Sequence, residues 1–291
     1  MAVGDEGRTG GPRGQVATVR YGTHRDQVAD ITLPGHPDGR APLVLLLHGG
    51  FWRAEHDRLH VGVVADALAA DGYLVANVEY RRVGAGGGWP NTFTDVATAA
   101  DTLPGLIERE FPGRVDHDRV VYLGHSAGGH LALWASLRDR LPDGAPGHTD
   151  RLPPLAGVVA LAAVTDLAGT HRLGGGRGAV AELLDGGPDE VPDRYAATDP
   201  AALDPAVLTP VVPGPATPDP ANLAPVAASR APVVLVHGDQ DEALPVEPAR
   251  RYATAHGAKL IEPPDAGHFD LIDPGSAAWP HVMDALRLVL G

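Results

Sequence analysis

The chain has 291 residues, with 23 Lys+Arg against 37 Asp+Glu and a formal net charge of −14. So acidic a balance argues against a nucleic-acid or anionic-membrane surface, which needs a basic patch. Hydrophobic residues make up 44% and aromatics only 5%, which calls for a core built mainly from Ala, Val and Leu; the absence of cysteine removes disulfides, thiolate metal sites and cysteine nucleophiles together.

Residues 1–19 read as a flexible tail, because MAVGDEGRTGGPRGQ lacks the apolar core of a secretory signal. No apolar run reaches the roughly 18 residues of a membrane span, so the expectation is a cytoplasmic protein whose residues 20–291 form a single domain. Short β-branched runs then alternate with amphipathic stretches, the pattern of a mostly parallel sheet covered by helices. The run Leu43 to Leu47 is continuous and predicts a strand buried on both faces. Val61, Val64, Ala65 and Leu68 follow the i, i+3, i+4, i+7 spacing of a helix. Tyr73 to Val78 reads as the next strand, and the Gly-rich residues 81–92 (RRVGAGGGWPNT) as a long loop. Further strands are expected at Arg119 to Leu123, Gly157 to Val164, Pro232 to Val236 and Lys259 to Ile261, before a C-terminal helix carrying Val282, Leu286, Val289 and Leu290. Nine prolines between 199 and 232 predict a surface excursion, since they can continue neither a helix nor a central strand.

One motif carries chemistry. Gly124-His125-Ser126-Ala127-Gly128 reads G-x-S-x-G directly after the strand RVVYL and before the helical stretch HLALWASLRDR. A tight strand-to-helix turn there lifts a serine hydroxyl clear of the backbone. With four serines and 37 glycines in the chain, about 0.06 such matches arise by accident. A serine needs a base to take its proton and an acid to orient that base, downstream in the order Ser, acid, His. Strand PVVLV runs into His237-Gly238-Asp239-Gln240-Asp241, and 27 residues after Asp241 comes Ala266-Gly267-His268-Phe269. Ser126, Asp241 and His268 are the expected triad, with Asp239 and Asp166 as competitors for the acid.

Acyl transfer also needs donors for the oxyanion. The strand LVLLL ends in His48-Gly49-Gly50-Phe51-Trp52, so the main-chain N–H groups of Gly50, Phe51 and Ala127 are the candidates. His48 reads as a structural hydrogen-bonder, and His125 and His130 as packing or hydrogen-bonding around the turn rather than acting as base. Trp52 and Trp89 are candidates for a substrate pocket, with capping of the core an equal reading of Trp89. Glu79-Tyr80-Arg81 either shapes the pocket or ties a loop. His56 and His60 have i, i+4 spacing but no obvious third ligand, so no metal is expected. Gly174-Gly175-Gly176-Arg177-Gly178 lacks the ending of a phosphate loop and reads as a connector.

With HGGFW, GHSAGGH, HGDQD and AGHF in this order, the chain resembles the α/β-hydrolase superfamily over nearly all of residues 20–290. HGGFW and the upstream YGTHRDQVADITLP look like the branch of kynurenine formamidases (arylformamidases) and feruloyl-type carboxylesterases. The resemblance implies an α/β-hydrolase fold, with a mostly parallel eight-stranded sheet flanked by helices on both faces. It also implies no cofactor, and hydrolysis of a small carboxylic ester or an arylformamide by Ser126, Asp241 and His268. The alternative is a non-hydrolytic ligand-binding or biosynthetic, cyclisation-type protein on the same fold. The partner expected is a small-molecule ester or amide, with no nucleic acid and no membrane; a homodimer rests on fold analogy alone.

Overall fold

The structure, a computed structural model, describes residues 15–35, 39–203 and 231–291. Strands β1 (Gln15–Arg20), β2 (Val28–Thr32), β3 (Ala41–Leu47), β4 (Leu74–Val78), β5 (Val115–His125), β6 (Gly157–Leu161), β7 (Val233–Val236) and β8 (Lys259–Ile261) form one sheet. Its order is β1-β2-β4-β3-β5-β6-β7-β8. β2 pairs antiparallel with both β1 and β4, and the other pairs are parallel. The helices are α1 (Gly62–Ala70), α2 (Asn91–Glu110), α3 (Ala127–Ala135), α4 (Leu167–Arg172), α5 (Ala179–Leu184), α6 (Pro192–Thr198), α7 (Pro200–Leu203), α8 (Glu247–His256) and α9 (Trp279–Leu290). This is the α/β-hydrolase fold.

Continuous apolar strands are explained by a sheet with two covered faces. Leu43, Leu45 and Leu47 of β3 enter one core while Val44 and Leu46 enter the other. The same alternation sends Val120 and Tyr122 of β5 one way and Val121 and Leu123 the other. α2, α3 and α8 cover the first face, and α1 and α9 the second. The helical stripe Val64, Ala65 and Leu68 is buried in α1, as are Val282, Leu286 and Val289 in α9.

Several boundaries differ from the sequence reading. Residues 15–19, expected within a tail, belong to β1, and residues 1–14 lie outside the described residues. β2 was invisible as a strand because VADIT holds an acid at its centre; buried Asp30 accepts from Arg58 Nε at 2.7 Å and from Thr18 Oγ1 at 2.7 Å. β6 stops at Leu161, where Ala162 turns to φ 43°. Asn91 and Thr92 already belong to α2. The Pro-rich stretch does not start as an excursion: Pro200 opens α7, and both Pro200 and Leu203 are buried. A proline is tolerated there because the first-turn N–H has no intrahelical partner. Residues 204–230 lie outside the described residues.

The parallel strands aim their C-terminal ends at one edge of the sheet, where open α/β sheets gather functional groups. HGGFW follows β3, Ser126 follows β5, Asp241 lies in the loop after β7, and His268 lies beyond β8.

Candidate active site

Ser126 sits between β5 and α3 with φ 55° and ψ −116°, a conformation that costs a non-glycine residue about 1–3 kcal/mol. The turn is held by Ser126 N–H donating to the Leu161 carbonyl (2.8 Å) and His130 N–H donating to the Ser126 carbonyl (3.1 Å). The glycines of the motif serve close approach. A Cβ on Gly124 would lie 2.1 Å from the Gly128 carbonyl oxygen, and one on Gly128 would lie 2.1 Å from that of Leu47. Gly128→Ala is therefore expected to cost about 1–3 kcal/mol of stability. Urea unfolding checks this, and an unchanged midpoint would contradict the packing of α3 on β3.

His268 and Asp241 meet. The imidazole Nδ1–H donates to Asp241 Oδ2 at 2.7 Å. The other carboxylate oxygen accepts the main-chain N–H groups of Ala243 and Leu244, each at 2.8 Å. His237 Nε2, which donates to the Leu244 carbonyl at 3.0 Å, stands 3.3 Å from Asp241 Oδ2. Burial opposes the Asp241 charge, but the His237 and His268 hydrogen bonds outweigh it and hold the carboxyl well below the usual range. The competitors sit elsewhere. Asp166 caps α4 by accepting from Gly169 N–H, and Asp239 is exposed. No hydrogen bond among the described residues joins the Ser126 hydroxyl to His268; such bonds are often long before substrate binds.

His125 links the two halves of the constellation. Its Nε2–H donates to the His268 carbonyl at 3.0 Å, and the two rings lie 4.6 Å apart. Burial, followed by the nearby charge of His268, pushes His125 down to about 3, so it is a neutral donor. His130 bonds the Thr198 carbonyl through Nε2 and packs edge-on against Trp52.

The segment after β3 takes three successive positive φ values: 107° at Gly50, 55° at Phe51 and 55° at Trp52. A side chain at Gly50 would strike His56, whose Cβ is 2.3 Å from the Cβ position. Tyr80 donates its hydroxyl to the His48 carbonyl at 2.7 Å, and its ring stacks on His48 at 4.4 Å. His48 Nε2 lies 2.9 Å from Glu79 Oε1. Burial raises Glu79, but the His48 contact, Arg82 and the Arg58 N–H bring it below the usual carboxylate range. Glu79 and Tyr80 thus tie a loop, which settles the choice the sequence left open. No hydrogen bond among the described residues uses the N–H of Gly50 or Phe51, and Ser126 offers no side-chain cap to α3. The Ala127 N–H therefore stands free at a helix N-terminus, where the dipole favours negative charge.

Against Ser126 lies a cleft of about 10 Å³, near the minimum that admits one water, lined by Phe51, Trp52, Ala127, Val164, Val180 and Leu244 among others. A separate groove of 960 Å³ shares Phe51 and Gly176 with it and is bordered also by Val83, Phe269 and the charged Glu55, Arg177 and Glu242. Trp52 lines the cleft. Trp89 lines neither; its N–H is taken by the Leu183 carbonyl at 2.7 Å and its ring lies 5.7 Å from Phe93, so it caps the core. His56 and His60 stand 6.1 Å apart ring to ring, and no group of three potential metal ligands converges among the described residues. No described helix is long and apolar enough to cross a membrane.

A family profile named BD-FAE matches residues 29–206, well over half of the chain. The chain belongs to the BD-FAE family. A second profile, described as serine hydrolase, matches residues 202–288. Esterase LipC of Mycobacterium tuberculosis is 26% identical over 273 residues, which cover 88% of this chain. The match spans only 60% of LipC itself. A truncated carbohydrate esterase from gut microbiota superposes with a TM-score of 0.72 at 19% identity, covering 94% of this chain and 96% of the other. The esterase Est2 of Thermogutta terrifontis gives 0.65 at 19% identity, covering 96% and 92%.

Two contributors to this site, His237 and Arg53, escaped the sequence reading. His237 passes for a packing residue, because its partner, the Leu244 carbonyl, is a main-chain group that no pattern displays. Arg53 pairs with Glu182, 129 positions away. Only the four-residue spacing of His237 and Asp241 offered a signal.

Proposed function

We propose that the protein is a serine-dependent carboxylic ester hydrolase that works through an acyl-enzyme on small-acyl substrates. The observation that carries this reading is the Asp241–His268 hydrogen bond beside a strained serine at the N-terminus of α3. Ser126 Oγ attacks the substrate carbonyl carbon as His268 Nε2 takes its proton. The tetrahedral oxyanion is held by the N–H groups of Ala127, Gly50 and Phe51, which have no hydrogen-bond partner among the described residues to give up. Collapse breaks the bond to the leaving group, which takes the proton from His268. Water, deprotonated by His268, then attacks the acyl carbon, and His268 returns that proton to Ser126 Oγ as the acid departs. Asp241 accepts the Nδ1–H throughout and stabilises the imidazolium.

The esterase names of LipC and of the two structural neighbours support the reaction class. The small cleft supports a short acyl group, formyl or acetyl, and the wide groove accommodates a larger alcohol or amine. An aryl ester comes first in this reading and an arylformamide second. The test is turnover of p-nitrophenyl acetate beside N-formylkynurenine, with fluorophosphonate labelling of the folded protein. Labelling and ester turnover are expected. Absence of both would favour a ligand-binding protein that uses the pocket without hydrolysis.

A further inference from the structure

The cleft beside Ser126 has one wall fixed by the core and one that is held from outside. Phe51, Trp52 and Ala127 belong to the first. The second is Gly176, from the segment that joins α4 to α5, next to Val180 of α5 itself. α5 is anchored by buried Val180, Leu183 and Leu184, but none of residues 174–178 is buried, and Gly174, Gly176, Arg177 and Gly178 take left-handed φ. Their main-chain bonds stay within the segment and its flanking helices, Gly174 N–H to the His171 carbonyl and Ala179 N–H to that of Gly176. Among the described residues, the side chain that bonds this segment from outside it is Arg53. Its Nε and one terminal nitrogen donate to the Glu182 carboxylate at 2.6 and 2.9 Å, and that nitrogen also donates to the Arg177 carbonyl at 2.9 Å. Arg53 lies two positions after Phe51, so one guanidinium ties the C-terminal end of the movable wall, at Arg177, and the helix that follows it, at Glu182, to the loop after β3.

We propose that Arg53 and Glu182 determine the length of acyl chain the enzyme accepts, by pinning residues 175–178 beside Phe51 and closing the cleft. This rests on the ester-hydrolase reading and adds its specificity. Glu182 is 48% exposed at its side chain, so the pair is a modest restraint rather than a permanent seam, although bidentate geometry places it at the strong end for exposed pairs. Without it the wall can retreat and admit further methylenes.

The test compares kcat/KM for p-nitrophenyl butyrate and acetate in the wild type, Glu182→Gln and Arg53→Gln, together with amide hydrogen exchange over residues 174–184. The butyrate-to-acetate ratio is expected to rise about fivefold in Arg53→Gln, the size of effect an exposed bidentate pair sustains. A smaller rise is expected in Glu182→Gln, where the bond to the Arg177 carbonyl survives. Exchange over 174–184 should rise in the same order. An unchanged ratio overturns the proposal whatever the exchange shows. If the wild type hydrolysed neither ester, the ester-hydrolase reading would fall, and with it any role in acyl selection; raised exchange in Arg53→Gln would then leave only the pinning itself standing.

Discussion

Replacing Ser126 by alanine is expected to lower kcat for p-nitrophenyl acetate by at least about 10^4-fold, approaching 10^6, the loss that follows removal of a triad nucleophile. The residual rate should come from the oxyanion donors, which the substitution leaves in place. Fluorophosphonate labelling should vanish with the hydroxyl. Stability should barely move, because alanine meets the same φ of 55° and the Ser126 side chain gives α3 no capping bond. Ser126→Gly is the sharper companion. Glycine enters the left-handed region without penalty, so this variant should be equally inactive yet more stable by about 1 kcal/mol. That pairing reads the strain of the turn directly, as energy stored where function needs an exposed hydroxyl. Urea unfolding of the three proteins measures it, and turnover of Ser126→Ala within tenfold of the wild type would remove Ser126 from the mechanism.

What could be read from the sequence was whatever local backbone geometry imposes on composition. Gly124 and Gly128 flank Ser126 because the chain passes within contact of itself at both, and that requirement is written in two letters. Asp241 and His268 were proposed from order and strand context, Asp241 past the apolar run of β7 and His268 past the short, partly exposed β8. Long-range pairing left no such trace. Asp30 in β2 looks like a strand breaker until Arg58 is beside it, and Arg53 looks like a loop cation until Glu182 closes on it. Trp89 carried two equal readings because an aromatic after a Gly-rich loop fits either; the contact of its ring with Phe93 and its packing against the core favour the core. The polar layer under the oxyanion loop, with His48, Glu79 and Tyr80, is similarly a product of β3 and β4 lying side by side.

Asp241→Asn is expected to lower kcat by about 10^3- to 10^4-fold while leaving KM within a few-fold, as loss of the orienting acid does in triads of this kind. The reason lies in which oxygen faces what. Asp241 Oδ1 accepts two main-chain N–H groups that cannot reorient, from Ala243 and Leu244. An asparagine must keep its carbonyl there, so its NH2 faces His268 Nδ1 in place of Oδ2. Two donors cannot share that contact, and the imidazole is driven to carry its proton on Nε2, where it can no longer accept one from Ser126. His237 gives no relief, because its Nε2–H is committed to the Leu244 carbonyl and also points at the changed atom. Asp166→Asn and Asp239→Asn, at a helix cap and an exposed loop, should change kcat less than about threefold. Stability adds a pH signature. The Asp241 carboxyl is held below its ordinary range, so between the folded and unfolded values the unfolded chain binds more protons and stability rises with pH. The contribution is complete above the unfolded value of about 4 and is lost on acidification below it. Wild type should therefore exceed Asp241→Asn most at neutral pH, with the gap narrowing below about pH 4. A kcat loss under tenfold, or a gap that widens in acid, would show that the carboxylate does not hold His268.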